Sequence, residues 1–160
     1  MGELTIARVD WLDPRALALR EAMDVEMGIL YSGRNTMPDV DDAAISRALT
    51  IDPTTIVDTV LVLDGDRAVG HAALRPWGDD LEVKKVFVDS EYRGRGVSKA
   101  VMAELEVLAI GRGIRRLVLQ TGDLQLEAIG LYERIGYTPI AVYGAYGVIP
   151  FARCFEKSLD

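Results

Sequence analysis

The run Val86-Phe87-Val88-Asp89-Ser90-Glu91-Tyr92-Arg93-Gly94-Arg95-Gly96-Val97-Ser98-Lys99-Ala100 constrains this chain most, because it leads from a strand-like segment into a helix through a loop of alternating arginine and glycine. Gly94 and Gly96 open backbone conformations closed to other residues and let a ligand approach closely. The helix that follows aims its unpaired first-turn N–H groups, and the positive end of its dipole, at the loop. Such a loop cradles an anion, and a diphosphate fits it. The competing reading is an ordinary turn between strand and helix, with its arginines in solvent.

Spacing narrows the choice of anion. A Walker loop needs Gly-x-x-x-x-Gly-Lys-Ser/Thr, which is absent. A dinucleotide fingerprint needs a third glycine where Lys99 stands. The pattern Arg/Gln-x-x-Gly-x-Gly/Ala after a strand is met by Arg93-Gly94-Arg95-Gly96-Val97-Ser98 except at its last position. Here the chain resembles the GNAT superfamily of acyl-CoA-dependent N-acetyltransferases. By that resemblance Arg93, Gly94, Arg95, Gly96, Val97 and Ser98 bind the pyrophosphate of coenzyme A, and acetyl-CoA is the cosubstrate. Ser98 stands where the family has Gly or Ala, and is small enough to leave an amide cradle intact.

A chain of 160 residues suits one domain with a substantial core. No signal pattern opens it and no apolar run approaches a membrane span, so the expected location is cytoplasmic, with no membrane partner. The net charge of −7 argues against a nucleic-acid partner. Acidic residues cluster at Asp39, Asp41 and Asp42 and at Asp79, Asp80 and Glu82; they are either solvated loops or the lining of a cleft that steers a cation. The single cysteine, Cys154, lies in an apolar strand-like stretch and reads as a buried structural thiol. No His/Asp/Glu spacing looks like a metal site.

Residues 3 to 9 alternate like a strand, and Asp13-Pro14 opens a helix with Ala16, Leu19, Met23, Met27 and Leu30 on one face. Gly33-Arg34-Asn35 and Met37-Pro38-Asp39 break it before a shorter helix near 40 to 49. Val57 to Leu63 and Arg67 to Leu74 read as a hairpin turning at Asp64-Gly65, and 81 to 88 as a strand after the turn at Trp77-Gly78-Asp79. Val97, Val101, Leu105 and Leu108 make a helical stripe ending near Gly111-Arg112-Gly113. A strand from Arg115 to Gln120, a helix carrying Leu124, Ala128, Leu131, Tyr132 and Ile135, and strands near 138 to 143 and 151 to 157 complete the count. The order β-α-α-β-β-β-α-β-α-β-β predicts an α/β fold on one mixed sheet. It resembles the GNAT fold over the full length 1–160, a single domain with a mostly antiparallel sheet flanked by helices. The resemblance also implies that the fourth and fifth strands splay, with the pantetheine arm against the backbone of Phe87 and Val88.

Acetyl transfer needs a neutral amine, yet an amine of pKa near 10 is only about 0.1% neutral at pH 7, and the departing thiolate needs a proton. The segment Gln125-Leu126-Glu127-Ala128-Ile129-Gly130-Leu131-Tyr132-Glu133-Arg134-Ile135-Gly136-Tyr137 resembles the family's Asn-x-x-Ala-x-x-Leu-Tyr-x-x-x-Gly-Phe/Tyr signature. That match makes Tyr132 the acid beside the thioester sulfur and gives Gln125 a hydrogen bond to pantetheine; the other reading of Tyr132 is a core tyrosine. On an alternating strand Glu82, Lys84, Val86 and Val88 share one side. Some GNAT enzymes carry a glutamate base at the offset of Glu82; the alternative is an exposed glutamate pairing with Lys84 or Lys85. His71, the only histidine, reads as structural rather than as a base. Tyr143 and Tyr146 either wall an acceptor pocket or simply pack. The expected activity is acetylation of a primary amine on a small cationic metabolite, with a homodimer as a family-based expectation. A protein amine as acceptor, an acyl-CoA sensor without turnover, and an unrelated nucleotide binder are the rivals.

Overall fold

The computed structural model describes residues 3–34 and 37–160. Its elements follow the expected order: β1 (Leu4–Val9), α1 (Pro14–Leu30), α2 (Asp42–Leu49), β2 (Asp58–Asp64), β3 (Arg67–Trp77), β4 (Asp80–Val88), α3 (Val97–Gly111), β5 (Arg116–Gly122), α4 (Leu126–Arg134), β6 (Thr138–Ile140) and β7 (Ala152–Ser158). Local chemistry sets the starts. Asp13 accepts the Arg15 N–H at 2.9 Å with Pro14 in the first turn, and Asp41 accepts the Ala44 N–H at 3.0 Å to open α2. The expected break after α1 partly coincides with Asn35, outside the described residues.

The strands form one sheet in the order β1-β2-β3-β4-β5-β7-β6, antiparallel except where β4 meets β5. That parallel pair follows from the α3 crossover between the two strands. The core on one face packs α3 and α4 against the sheet, with Val101, Met102, Leu105, Leu117 and Phe155 at its centre. Full burial of each large side chain there contributes roughly 1.5–3 kcal/mol. On the other face α1 packs Ala16 and Leu19 against Leu61 and Phe87.

Two expectations are corrected. Leu30 is 40% exposed, because the last turns of α1 border a cleft rather than the sheet, and Tyr31 turns inward instead. Glu82, Lys84, Val86 and Val88 do not share a side. His71 pairs with Phe87 and Ala73 with Lys84, so Lys85 and Val86 together oppose Ala72 in a β-bulge, with Lys85 at φ 55°. The extra residue shifts the alternation: Val83, Val86 and Val88 face α3, while Phe87 joins α1 and Glu82 and Lys84 point away from α3. Among the described residues no helix is long and apolar enough to cross a membrane, and Cys154 is buried as expected.

Candidate active site

β4 and β5 stay paired only from Leu81/Leu117 to Val83/Leu119. Beyond Val83 they part, and from Lys84 to Val88 the β4 edge that faces β5 has no strand beside it among the described residues. A cleft of about 690 Å³ opens at the parting, between α1 and α2 on one side and β5 and α4 on the other. Among the expected residues, Tyr132 and Gln125 reach it.

The Tyr132 ring lies 5.8 Å from Tyr137 and 6.2 Å from Phe155, yet its hydroxyl makes no hydrogen bond among the described residues. Burial pushes its phenol up, so it keeps its proton at neutral pH. The ring packs in the core while the residue also borders the cleft, with its O–H uncommitted among the described residues. Gln125 stands at the start of α4 without capping it. Next to it the Leu124 N–H donates to the Tyr31 hydroxyl at 3.2 Å. Only glycine fits at Gly122, where a Cβ would lie 1.8 Å from that hydroxyl oxygen.

The arginine-glycine loop forms a second region. Gly94 and Gly96 have φ of 76° and 79°, the left-handed conformation that L side chains avoid, and a Cβ on either would meet nothing within 4 Å. Gly96 is also the N-cap of α3, and no side chain caps that helix. Its first-turn N–H groups at Val97, Ser98 and Lys99 therefore retain capacity for an anion, the first helical bond being Ala100 N–H to Gly96 O at 3.0 Å. Arg93 departs from the expected picture. Its guanidinium donates to Glu26 at 2.8 Å and to the Val88 carbonyl at 3.1 Å, and sits 5.5 Å from the Phe87 ring, so it ties the end of β4 to α1. Arg95 lies over the Tyr92 ring at 5.1 Å.

Glu82 is not brought to the cleft. It is fully buried and accepts from Arg75 Nε at 2.6 Å, Tyr143 Oη at 2.6 Å and Tyr146 Oη at 2.9 Å. Enclosed by these three donors it does not border the cleft, and it is equally not the exposed partner of Lys84 or Lys85. Tyr143 and Tyr146 serve this cluster and are absent from the cleft wall. The acidic clusters also disperse. Asp41 caps α2, Asp80 pairs with Arg116 at 2.8 Å, Asp39 and Asp79 are exposed, and of the six only Asp42 borders the cleft.

Sequence reasoning missed Arg20, Tyr31 and Lys84, all in the cleft wall. Arg20 lies 3.5 Å from the Trp11 ring centroid and donates to His71 Nε2 at 2.9 Å. Because guanidinium only donates, Nε2 accepts and His71 Nδ1–H donates to the Lys85 carbonyl at 2.8 Å. That bond fixes the bulge. Burial, reinforced by the nearby Arg20 and Lys85 charges, pulls the imidazole from 6.5 down to about 4. The unfolded chain thus binds a proton below about pH 6.5 that the folded chain refuses until about pH 4. Stability falls as pH drops through that window, by about 3 kcal/mol in full. Urea denaturation checks this: the stability advantage of wild type over His71→Gln is expected to shrink by that amount between pH 7 and pH 4, and a constant advantage refutes a neutral His71.

Comparison with known proteins places this geometry. An IAA acetyltransferase from Azospirillum brasilense is 27% identical over 168 residues, covering 99% of this chain and 100% of that protein. A solved Klebsiella pneumoniae chain assigned as an acyl-CoA N-acyltransferase superposes with TM-score 0.78 at 26% identity, with 98% of each chain covered. A GNAT family acetyltransferase from Elizabethkingia anophelis, solved with acetyl-CoA bound, shares the fold at TM-score 0.68 and 15% identity over 97% of each chain. The sequence model of the acetyltransferase (GNAT) family matches residues 23–137, a span that includes the parted strands, the glycine loop and Tyr132, and the chain is therefore an acyltransferase belonging to that family.

Proposed function

We propose that residues 1–160 form one N-acetyltransferase domain that moves the acetyl group of acetyl-CoA to the primary amine of a small molecule. The observation that carries this reading is the pairing of an uncapped α3 N-terminus, fronted by two left-handed glycines, with the unpartnered β4 edge that leads from it to Tyr132. A diphosphate suits the first and an extended amide-bearing arm suits the second. The Elizabethkingia relative holds acetyl-CoA, which supports the same donor here. Val97 and Ser98 amides, with Gly94 and Gly96, take the pyrophosphate; the backbone of Phe87 and Val88, with Gln125, takes the arm.

In the transfer, the amine nitrogen bonds to the acetyl carbon, the carbon–sulfur bond breaks, the sulfur takes the Tyr132 proton, and Tyr132 regains a proton from the cleft water that receives the amine's. With Glu82 enclosed, the amine's proton leaves to water in the cleft. Holding both reactants there supplies most of the rate.

Mass spectrometry of a mixed amine pool incubated with acetyl-CoA, run beside calorimetry of CoA binding, tests this. The expected results are an enzyme-dependent acetylated amine and CoA affinity at least tenfold weaker in Gly96→Val, whose φ a β-branched residue resists. CoA binding without product leaves a sensor, product only on protein amines moves the acceptor class, and binding of ATP or NAD in preference to CoA removes the donor.

A further inference from the structure

The cleft is charged in layers. Its acids, Glu21, Asp24 and Asp42, stand exposed at the rim, while Arg20 and Lys84 are buried in its wall, 7% and 6% exposed. Arg20 is already held by His71 and the Trp11 carbonyl. Lys84 is not so provided for. Its ammonium has three donors and, among the described residues, makes one hydrogen bond, to Tyr146 Oη at 2.6 Å. No carboxylate forms an ion pair with it among the described residues. Glu82 acts on it through charge alone, its hydrogen bonds being made to Arg75 and two tyrosines, and it shares that charge with Arg75. The Tyr146 hydroxyl also accepts from Arg75 at 3.1 Å and gives its proton to Glu82, so it cannot neutralise the lysine.

A buried ammonium ordinarily has a counter-ion. Here the open side of Lys84 is the cleft itself, and what enters the cleft completes the pair. Coenzyme A's phosphates do not meet this need, since the residues of the glycine loop are not among those lining this cleft. The pantetheine arm that shares the cleft carries no charge, which leaves the amine that accepts the acetyl group.

We propose that the acceptor is an amino acid or similar carboxylate-bearing amine, and that Lys84 receives its carboxylate. This rests on the cleft being the acetyl-transfer site, and it replaces the cationic acceptor expected from acidic clustering. The carboxylate anchors at the lysine on β4 and leaves the amine directed toward the parting of the strands.

Matched pairs of amines test it: L-aspartate, L-glutamate, L-methionine and L-phenylalanine against their α-amides, each assayed for acetylation and, by calorimetry, for binding to the CoA-loaded protein. At least one free acid is expected to exceed its amide in kcat/KM by roughly 10- to 100-fold, the scale of a charge-assisted hydrogen bond. Lys84→Met is expected to raise KM for that acid by a similar factor, with kcat within about threefold and CoA affinity unchanged, and to erase the gap between acid and amide. Equal use of acids and amides by the wild type overturns the proposal even if the variant fails to fold. So does a variant that loses kcat with KM intact, which makes Lys84 a base, and so does a CoA-loaded protein that binds none of the acids. Acids bound in preference to amides without any acetylated product defeats acetyl transfer and leaves the Lys84 assignment standing.

Discussion

Tyr132→Phe is expected to lower kcat for acetyl transfer roughly 100- to 1,000-fold, with CoA affinity changed by less than about threefold. The hydroxyl has no hydrogen bond to lose within the described protein, so its removal leaves no partner stranded. The ring, which packs near Tyr137 and Phe155, remains. Stability should hardly move. A loss confined to kcat marks an interaction made only as the sulfur departs. Steady-state kinetics with a thermal melt on the same preparation decides it: an active, equally stable Phe variant reduces Tyr132 to a packing residue, and a destabilised inactive one points to a role in folding.

The second large effect concerns stability rather than rate. Glu82→Leu is expected to cost about 3–5 kcal/mol, because it leaves the Arg75 guanidinium mostly buried without its carboxylate and removes the acceptor shared by Tyr143 and Tyr146. Glu82→Gln keeps an acceptor oxygen and costs less, and is the variant for kinetics. Its pH–rate profile should keep the wild-type shape. Loss of the limb that reports deprotonation, in a Gln variant that unfolds at the wild-type urea concentration, would restore Glu82 as the base.

The order of elements was legible because each segment carries its own period and its own punctuation, such as Asp13-Pro14 before α1 and Gly96 before α3. The arginine-glycine loop was legible for the same reason, since its two left-handed glycines and the start of α3 lie within a few consecutive residues. The bulge was not. Alternation assumes a strict two-residue repeat, and no glycine marks Lys85 as the residue that breaks it. Part of the Glu82 environment was within reach: a tight turn that sets Trp77 opposite Asp80 also sets Arg75 opposite Glu82. The two tyrosines were not, because they arrive from 61 and 64 residues away on a loop without periodicity. Lys84 followed the same blindness, its charge being visible and its lack of an ion pair among the described residues being a property of the assembled core.

The parting of β4 from β5 leaves unpaired backbone in the middle of the sheet rather than at its rim. Exposed strand edges ordinarily recruit strands from other molecules and lead to aggregation. This edge is screened by its own neighbour, because β5 continues to Gly122 while held on its far side by β7. A foreign strand would have to enter a wedge whose apex is already closed at Val83 and Leu119. The chain thereby keeps a length of hydrogen-bonding backbone unpaired without offering it to strands of other proteins.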